Sequence, residues 1–259
     1  MRVAELVQEV PQHDVLRERL AEHRRVAIVP ALNEEESVPR VIDEIRAFDP
    51  GFEIVVVDDG SVDRTAQVAR ARGARVIRLP FNLGIGGAVQ TGFRYAYENG
   101  FDLAVRVDGD GQHDPQQLGA ILEPVLAGQA DIAVGSRFTG ATGYRSSRSR
   151  RIGIRVLAWT VSALVRQRVT DTTSGFQAVN KLGIRLFAAD YPHDYPEVEA
   201  TVMVFRHRLR MLEVPVAMRE RAAGRSSITA FRSVYSMAKV LLALFVGIFR
   251  RNVVPLEDR

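Results

Sequence analysis

Three apolar, β-branched runs of this chain each end in a polar cluster, and a helical pattern follows each cluster. The runs cover residues 25–29, 53–57 and 103–107, and the clusters after them are rich in acidic and amide side chains. Buried strands that alternate with helices predict an α/β fold on a mostly parallel sheet with right-handed crossovers. Ligands bind such sheets in the crevice beyond the carboxyl ends of the strands. The sequence therefore predicts a ligand cleft lined by these clusters.

The same alternation continues along the chain and completes the predicted order of elements. Further strands are predicted at residues 75–79, 131–135 and 211–218. Helices are predicted near residues 34–48, 63–72, 85–99, 115–127 and 152–166, and another opens at residues 195–199. Residues 1–24 are predicted to form a helical lead-in to a main domain at residues 25–228.

The cluster after the third run contains two carboxylates at a spacing of two residues. Asp108 and Asp110 leave the end of the predicted strand, so their side chains can point the same way. Two carboxylates that close repel each other unless a cation lies between them. Oxygen ligands suit Mg²⁺ or Mn²⁺, and such ions commonly also bind substrate phosphates. The pattern indicates a metal–diphosphate site, and an acidic surface turn is the alternative because this spacing is common by chance.

Composition excludes several classes of protein. The chain has 259 residues and no cysteine, which rules out disulfides, a thiolate nucleophile and a cysteine-based zinc site. No apolar signal segment is recognised at the N-terminus, so we expect a cytoplasmic protein. The net charge is +4 and the cationic residues are almost all arginine, which suits phosphate recognition, although genomic base composition would give the same bias. A nucleic-acid partner is disfavoured because the basic loops lack an aromatic stacking platform.

Two segments of the second half are predicted to be loops. Residues 140–155 are rich in glycine, serine and arginine, and are interpreted as a basic lid, an anionic-lipid contact or a solvated face. Residues 169–177 form a polar turn in which Gly175 is expected to supply conformational freedom.

The C-terminal segment is strongly apolar between Val240 and Phe249, with basic residues on both sides. This run is about half of the ~20 residues that a membrane span needs. We therefore predict that residues 229–259 carry an amphipathic helix lying on the bilayer surface. A helix that packs on the core or on a second copy is the alternative.

Five motifs occur in an order that resembles the family 2 glycosyltransferases. They are Pro30-Ala-Leu-Asn-Glu34, Val57-Asp-Asp-Gly-Ser61, Asn82-Leu-Gly84, Asp108-Gly-Asp-Gly-Gln-His113 and Asp171-Thr-Thr-Ser-Gly-Phe176. The chain looks like the branch that contains dolichyl-phosphate mannose synthase and the bacterial polyprenyl-phosphate sugar synthases. The resemblance covers roughly residues 25–228 and implies the GT-A fold and inversion at the anomeric carbon.

The resemblance also implies roles for individual residues at the predicted strand ends. Asp108, Asp110 and Gln112 match a cation site for Mg²⁺ or Mn²⁺, and Asp110 is expected to be essential for catalysis. The nucleotide-sugar donor is expected to be UDP-, GDP- or dTDP-hexose. Its implied contacts are Pro30, Leu32, Asn33, Glu34, Asp58, Asp59, Asn82, Gly84, Asp108 and Gly109.

Three arginines match positions that bind phosphate in this branch. Arg137, Arg151 and Arg221 are expected to clamp the anionic acceptor and the leaving diphosphate, with surface ion pairs as the alternative. Ser227 stands where the family pattern has lysine, which weakens one phosphate contact. If the acceptor is instead a hydroxyl, Glu199 or Glu197 is the candidate general base.

The resulting hypothesis is an inverting, metal-dependent transferase that moves a hexose to a polyprenyl phosphate at the membrane surface. The alternative is a transferase that extends a glycan or lipid-linked sugar at a hydroxyl. A non-catalytic membrane-associated scaffold is a third reading, and the intact acidic residues argue against it. We expect a peripheral protein on the inner face of the cell membrane, with a separate membrane protein as a further partner.

Overall fold

The computed structural model of the protein describes residues 12–138, 148–165, 167–193 and 195–219. Within them the chain forms a seven-stranded sheet with helices on both faces. The strands are β1 (Arg25–Ala31), β2 (Glu53–Asp58), β3 (Arg75–Arg78), β4 (Leu103–Arg106), β5 (Ile132–Ser136), β6 (Gln177–Asn180) and β7 (Met211–Pro215). The helices are α1 (Gln12–Ala21), α2 (Val38–Phe48), α3 (Thr65–Ala71), α4 (Gly84–Glu98), α5 (Leu118–Leu126), α6 (Arg148–Val165), α7 (Lys181–Ala189) and α8 (Pro196–Arg206).

The sheet is mixed, with the strand order β3-β2-β1-β4-β6-β5-β7. The four strands β1 to β4 pair in parallel, and β5 pairs in parallel with β7. Strand β6 runs antiparallel between β4 and β5. The predicted mostly parallel α/β sheet is therefore confirmed, with one reversed strand that the sequence pattern did not predict.

Both faces of the central strands are buried, which explains why these strands are continuous apolar runs in the sequence. In β1, Val26 and Ile28 belong to the core on the side of α4, α6, α7 and α8. Their neighbours Ala27 and Val29 belong to the core on the side of α2, α3 and α5. All four side chains are fully buried. Within the described residues the protein is thus a three-layer sandwich, with the sheet between two layers of helices.

Several element boundaries differ from the predicted ones. Helix α2 begins at Val38 rather than near residue 34, which leaves residues 34–37 in the loop after β1. Strand β6 and helix α7 were not predicted, because β6 has only four residues and polar side chains at both ends. Helix α6 begins at Arg148, so the second half of the loop predicted at residues 140–155 is helical.

The described residues contain no helix that is both long and apolar enough to cross a bilayer. The lead-in helix α1 packs beside α5, and its Leu20 is fully buried in the core on that face of the sheet. The amphipathic helix predicted at residues 229–259 lies outside the described residues.

Candidate active site

The loops that follow β1, β2, β3 and β4 meet at the carboxyl edge of the sheet and enclose a cleft of about 280 Å³. This is the position that the topology of an open α/β sheet reserves for ligands. The cleft is lined by Pro30, Ala31, Leu32, Glu34, Asp59, Asn82, Gly84, Ile85, Ala88, Asp108, Gly109 and Asp110. Among the residues predicted to bind the donor, only Asn33 and Asp58 are absent from this wall.

The loop after β4, which we call the cation loop (residues 108–113), presents both predicted carboxylates to the cleft. Gly109 donates its N–H to the Pro30 carbonyl at 3.0 Å, and a Cβ at Gly109 would lie 3.0 Å from that same oxygen. Asp110 Oδ1 accepts a hydrogen bond from the Gln112 N–H at 3.0 Å. The glycine therefore lets the loop pack closely on the end of β1, while the two carboxylates stay on the cleft side.

The donor set of the cation loop fits a hard divalent cation that is also bound by substrate. No cluster of three or more acidic or histidine side chains suited to a metal occurs in the described part of the chain. Mg²⁺ usually takes one or two carboxylates and completes its coordination with water and substrate phosphates, and Asp108 and Asp110 supply two carboxylates at one wall. The side chain of Gln112 is not part of the wall, and its role as a cation ligand stays a prediction.

The loop after β2 is joined to the start of α4 through Asp59. The Asp59 carboxylate accepts a hydrogen bond from the Leu83 N–H at 2.7 Å, and Asn82 Oδ1 accepts one from the Gly84 N–H at 2.8 Å. Burial raises the pKa of Asp59 above its ordinary value. The charge of Asp58 adds to this effect, and the N–H groups of Leu83 and Gly84 oppose it. This side of the cleft is therefore built around a carboxylate that is held by main-chain donors.

Asn33 and Asp58 are the two predicted donor contacts that do not line the cleft. Asn33 has φ 55°, donates its N–H to Ser61 Oγ at 2.9 Å and accepts from the Val62 N–H at 2.9 Å. Asp58 is fully buried, accepts from the Ser61 N–H at 2.9 Å and has Arg78 Nε 3.4 Å from its other oxygen. Both residues hold the loops after β1 and β2 in place, and the direct donor contact of Asp58 stays a prediction.

The sequence analysis missed Arg106, which is the last residue of β4 and is 1% exposed. Its Nε donates to Asp108 Oδ1 at 2.9 Å, and its Nη2 donates to Glu197 Oε1 at 3.0 Å. Burial would raise the pKa of Asp108, but the Arg106 guanidinium, helped by His113 and Arg137, holds this pKa below its ordinary value. Asp108 is therefore ionised above a buried counter-charge. The available signal was a single arginine inside an otherwise apolar strand.

His113, the last residue of the cation loop, has a structural role in it. It is 4% exposed, and its Nδ1 accepts a hydrogen bond from the Asp108 N–H at 3.0 Å. Burial lowers the pKa of His113 to about 4. The charges of Arg106 and Arg137 act in the same direction, and the charge of Asp108 opposes them. The imidazole is therefore neutral near pH 7 and packs against the ring of Phe176 with a centroid separation of 5.0 Å.

Arg137 lies in an enclosed ion pair rather than at an open surface. Its Nε and Nη2 donate to the two oxygens of Asp171, each at 2.8 Å, and its Nη2 also contacts Thr173. Burial would raise the pKa of Asp171, but the bonds and the charge of Arg137 lower it. The predicted contact between Arg137 and an anionic ligand would have to share this guanidinium with Asp171, and that contact stays a prediction.

The first turn of α8 carries both of the glutamates that were considered as general bases. Glu197 is paired with Arg106, and Glu199 accepts a hydrogen bond from the Tyr195 N–H at 3.2 Å. Neither glutamate lines the cleft around the cation loop. Of the remaining predicted arginines, Arg151 lies in α6, and Arg221 lies outside the described residues.

Comparison with known proteins places the chain in a family. The model of "Glycosyl transferase family 2" matches residues 26–185. An undecaprenyl-phosphate mannosyltransferase of Micrococcus luteus is 32% identical over 219 residues, covering 80% of this chain and 88% of that protein. A polyprenol monophosphomannose synthase of Mycolicibacterium smegmatis is 30% identical, over 84% of this chain and 85% of that protein.

Solved structures agree with this assignment at the level of the fold. Glucosyl-3-phosphoglycerate synthase of Mycobacterium tuberculosis, in complex with Mn²⁺, UDP and glucosyl-3-phosphoglycerate, has a TM-score of 0.69 at 23% identity. The likeness covers 90% of this chain and 82% of that chain, and at this identity it shows the GT-A fold alone. Since the family model spans most of the sandwich and ends within α7, the chain belongs to glycosyl transferase family 2.

Proposed function

We propose that this glycosyltransferase moves a hexose from a nucleotide-diphosphate sugar to a polyprenyl phosphate, with Mg²⁺ or Mn²⁺ bound by Asp108 and Asp110. The observation that carries the proposal is that both carboxylates share one cleft with the loops after β1, β2 and β3. The names of the two relatives, a mannosyltransferase and a monophosphomannose synthase that act on polyprenyl carriers, support the acceptor class.

The cleft offers the donor two kinds of side chain. Leu32, Ile85 and Ala88 are apolar, while Asp59, Asp108 and Asp110 are acidic. A nucleoside diphosphate combines a base and ribose with a strongly anionic diphosphate, so it needs both an uncharged surface and a cation. When bound, a divalent cation would neutralise the charge that builds up on the departing diphosphate. Without a cation these carboxylates would repel the diphosphate. We therefore propose that donor and cation bind together.

The state of the glutamates on α8 favours a phosphate acceptor over a hydroxyl acceptor. A hydroxyl nucleophile needs a general base within hydrogen-bond reach. Glu197 is held by the buried Arg106, and Glu199 accepts a main-chain hydrogen bond at the start of its own helix. A phosphate monoester is already ionised, so its oxygen attacks the anomeric carbon without a base. The carbon–oxygen bond to the diphosphate breaks in the same displacement, which inverts the configuration.

The phosphate of the acceptor requires cationic side chains near the cleft. The described chain reaches Arg219 beside the cation loop, where the Arg219 N–H donates to the Gln112 carbonyl at 2.9 Å. Arg221 follows two residues later in the sequence. We propose that Arg221 and Arg151 supply the contacts to the acceptor phosphate.

The decisive experiment compares two acceptors that differ only in the phosphate. Protein with Mn²⁺ is incubated with labelled UDP-, GDP- or dTDP-hexoses and either undecaprenyl phosphate or undecaprenol. We expect label in the lipid extract only with the phosphate, and loss of this label in EDTA. Label that appears instead on undecaprenol or on an added glycan would support the hydroxyl alternative, and no transfer to any acceptor would reject the proposal.

A membrane-bound acceptor also requires that the enzyme contacts the bilayer, and α6 carries a suitable surface. Trp159 is 74% exposed and Val156, one turn earlier, is 46% exposed. Tryptophan is enriched at membrane–water interfaces because its ring is apolar and its N–H is polar. We propose that this face of α6, together with the segment at residues 229–259, lies on the inner surface of the cell membrane.

The membrane contact can be tested through one chromophore, because Trp159 is the only tryptophan of the chain. Anionic vesicles are expected to shift its fluorescence to shorter wavelength, and Trp159→Ala is expected to float less with these vesicles. Phe81→Ala serves as the matched control, since Phe81 is 63% exposed but lies in the loop between β3 and α4. An unshifted spectrum together with unchanged flotation of the Trp159 variant would exclude this face of α6.

A further inference from the structure

Arg106 joins two parts of the molecule that are distant in sequence. Its guanidinium donates to Asp108 on the cation loop at 2.9 Å and to Glu197 on the first turn of α8 at 3.0 Å. A third donor contacts the Tyr191 hydroxyl at 3.3 Å. Its side chain is 2% exposed, whereas Asp108 is 28% and Glu197 is 22% exposed. One buried cation is therefore shared by two carboxylates that each reach solvent.

The fork geometry of arginine makes this link directional. Guanidinium presents several donors in one rigid plane, so the bond to Glu197 fixes the plane that meets Asp108. With Oδ1 of Asp108 held by Nε of Arg106, the orientation of that carboxylate is set by the interior of the protein. His113 Nε2 lies 3.8 Å from Oδ2 on the other side. Asp108 therefore enters the cleft in one orientation.

Gly175, in the motif at residues 171–176, makes room for this arrangement. A Cβ at Gly175 would lie 2.6 Å from Arg106 Nη2 and 2.7 Å from Cζ. The backbone of Gly175 is outside the left-handed region, so the conformational freedom expected from the sequence is not the reason for glycine here. The reason is space for the guanidinium, which ties the motif to Arg106.

We propose that Arg106 is a positioning residue that sets the affinity of the cation loop for the divalent cation, and that Glu197 acts on this site through it. The inference rests on the proposed function. Glu197 does not line the cleft, so any influence it has on donor binding must pass through the protein. Replacing a group that orients a metal ligand commonly weakens metal affinity or activity about 10- to 100-fold.

Two substitutions that keep the charge test the positioning role. Arg106→Lys keeps the cation but cannot hold both carboxylates in one plane, and Glu197→Asp keeps the anion but is one methylene shorter. The wild type is first titrated calorimetrically with UDP, GDP and dTDP, each with Mn²⁺ and with EDTA, and the tightest nucleotide is used. We expect the Mn²⁺-dependent gain in nucleotide affinity to fall roughly tenfold in both variants. The metal-free affinity should stay unchanged.

Glu53→Asp is the matched control, because Glu53 also pairs with an arginine, Arg75, at 3.2 Å but lies at the opposite end of β2 from the cleft. It should bind nucleotide as the wild type does. If Arg106→Lys does not fold, the Glu197→Asp variant still decides the question, because Glu197 is partly exposed and a shorter side chain there is tolerated more easily. If the wild type shows no Mn²⁺-dependent gain in nucleotide affinity, the proposed function is wrong. If the wild type shows this gain and Glu197→Asp shows the same gain, only the positioning role of Arg106 is overturned.

Discussion

The two halves of the sheet hold their charged groups in different ways. In the half that contains β1 and β2, a cleft carboxylate is held by main-chain N–H groups, as Asp59 is by the N–H of Leu83. On the side of β5 and β6 the charged groups pair with each other in the interior, as Arg137 does with Asp171. Substitutions on the first side should therefore impair binding and chemistry, and those on the second should impair stability.

The largest effect is expected from breaking the interior pair. Arg137→Met leaves Asp171 buried without its partner, which commonly costs about 3–5 kcal/mol. Urea denaturation measures the loss. Arg94→Met is the control, because Arg94 is 64% exposed and lies 3.6 Å from Glu98. If the two variants are equally stable, the contrast between the two sides is wrong.

The next effect should appear in activity with no change in stability. Asp110→Asn removes a half-exposed cleft carboxylate, and we expect transfer to fall about 100-fold or more. Steady-state transfer with saturating Mn²⁺ provides the measurement, and the denaturation midpoint should stay at the wild-type value. Asp43→Asn, on the exposed surface of α2 and paired with Arg72, is the control. Near-normal transfer by the Asp110 variant would remove the cation role.

A smaller effect tests whether Gly175 is needed for space. Gly175→Ala places a methyl group against the buried Arg106, and overpacking of this kind costs about 1–3 kcal/mol. Gly119→Ala in α5 is the control, since its methyl group would meet the end of the Leu16 side chain at 3.1 Å and the Phe48 ring at an ordinary contact distance of 3.8 Å. The free energy of unfolding should fall for the first variant and stay level or rise for the second. A tolerated Gly175→Ala would mean that Arg106 has room to move.

The smallest effect is the dependence of stability on pH that Asp171 produces. The pKa of Asp171 is lowered in the folded state by Arg137, so below about pH 3.8 the unfolded chain takes up the proton first. The stability that this pair contributes is fully present above that pH and is lost as the pH falls through the lowered pKa. Asp171→Asn should therefore be less stable at neutral pH and should lose less on acidification. Parallel slopes for the two proteins in that range would contradict the assignment.

Sequence patterns predicted the cleft better than the interior ion pairs, for a physical reason. Strands β1, β2 and β4 are buried on both faces, and their acids follow at the strand ends, so local order in the chain predicts the cleft. The pairing of Arg106 with Glu197 spans 91 residues and depends on how α8 packs, which no local pattern carries. Strand β6 was missed because four residues with polar ends give no periodicity.

The reversed strand has a consequence for how the enzyme can be rebuilt. Because β6 is antiparallel, its first residue, Gln177, pairs with Arg106 at the last residue of β4. The segment that enters β6 thus arrives at the same rim from which the segment leaving β4 departs. This rim of the sheet is therefore formed by the segment that follows β4 and the segment that precedes β6. The packing of Gly175 against Arg106 therefore joins two connections that are about 70 residues apart in the sequence.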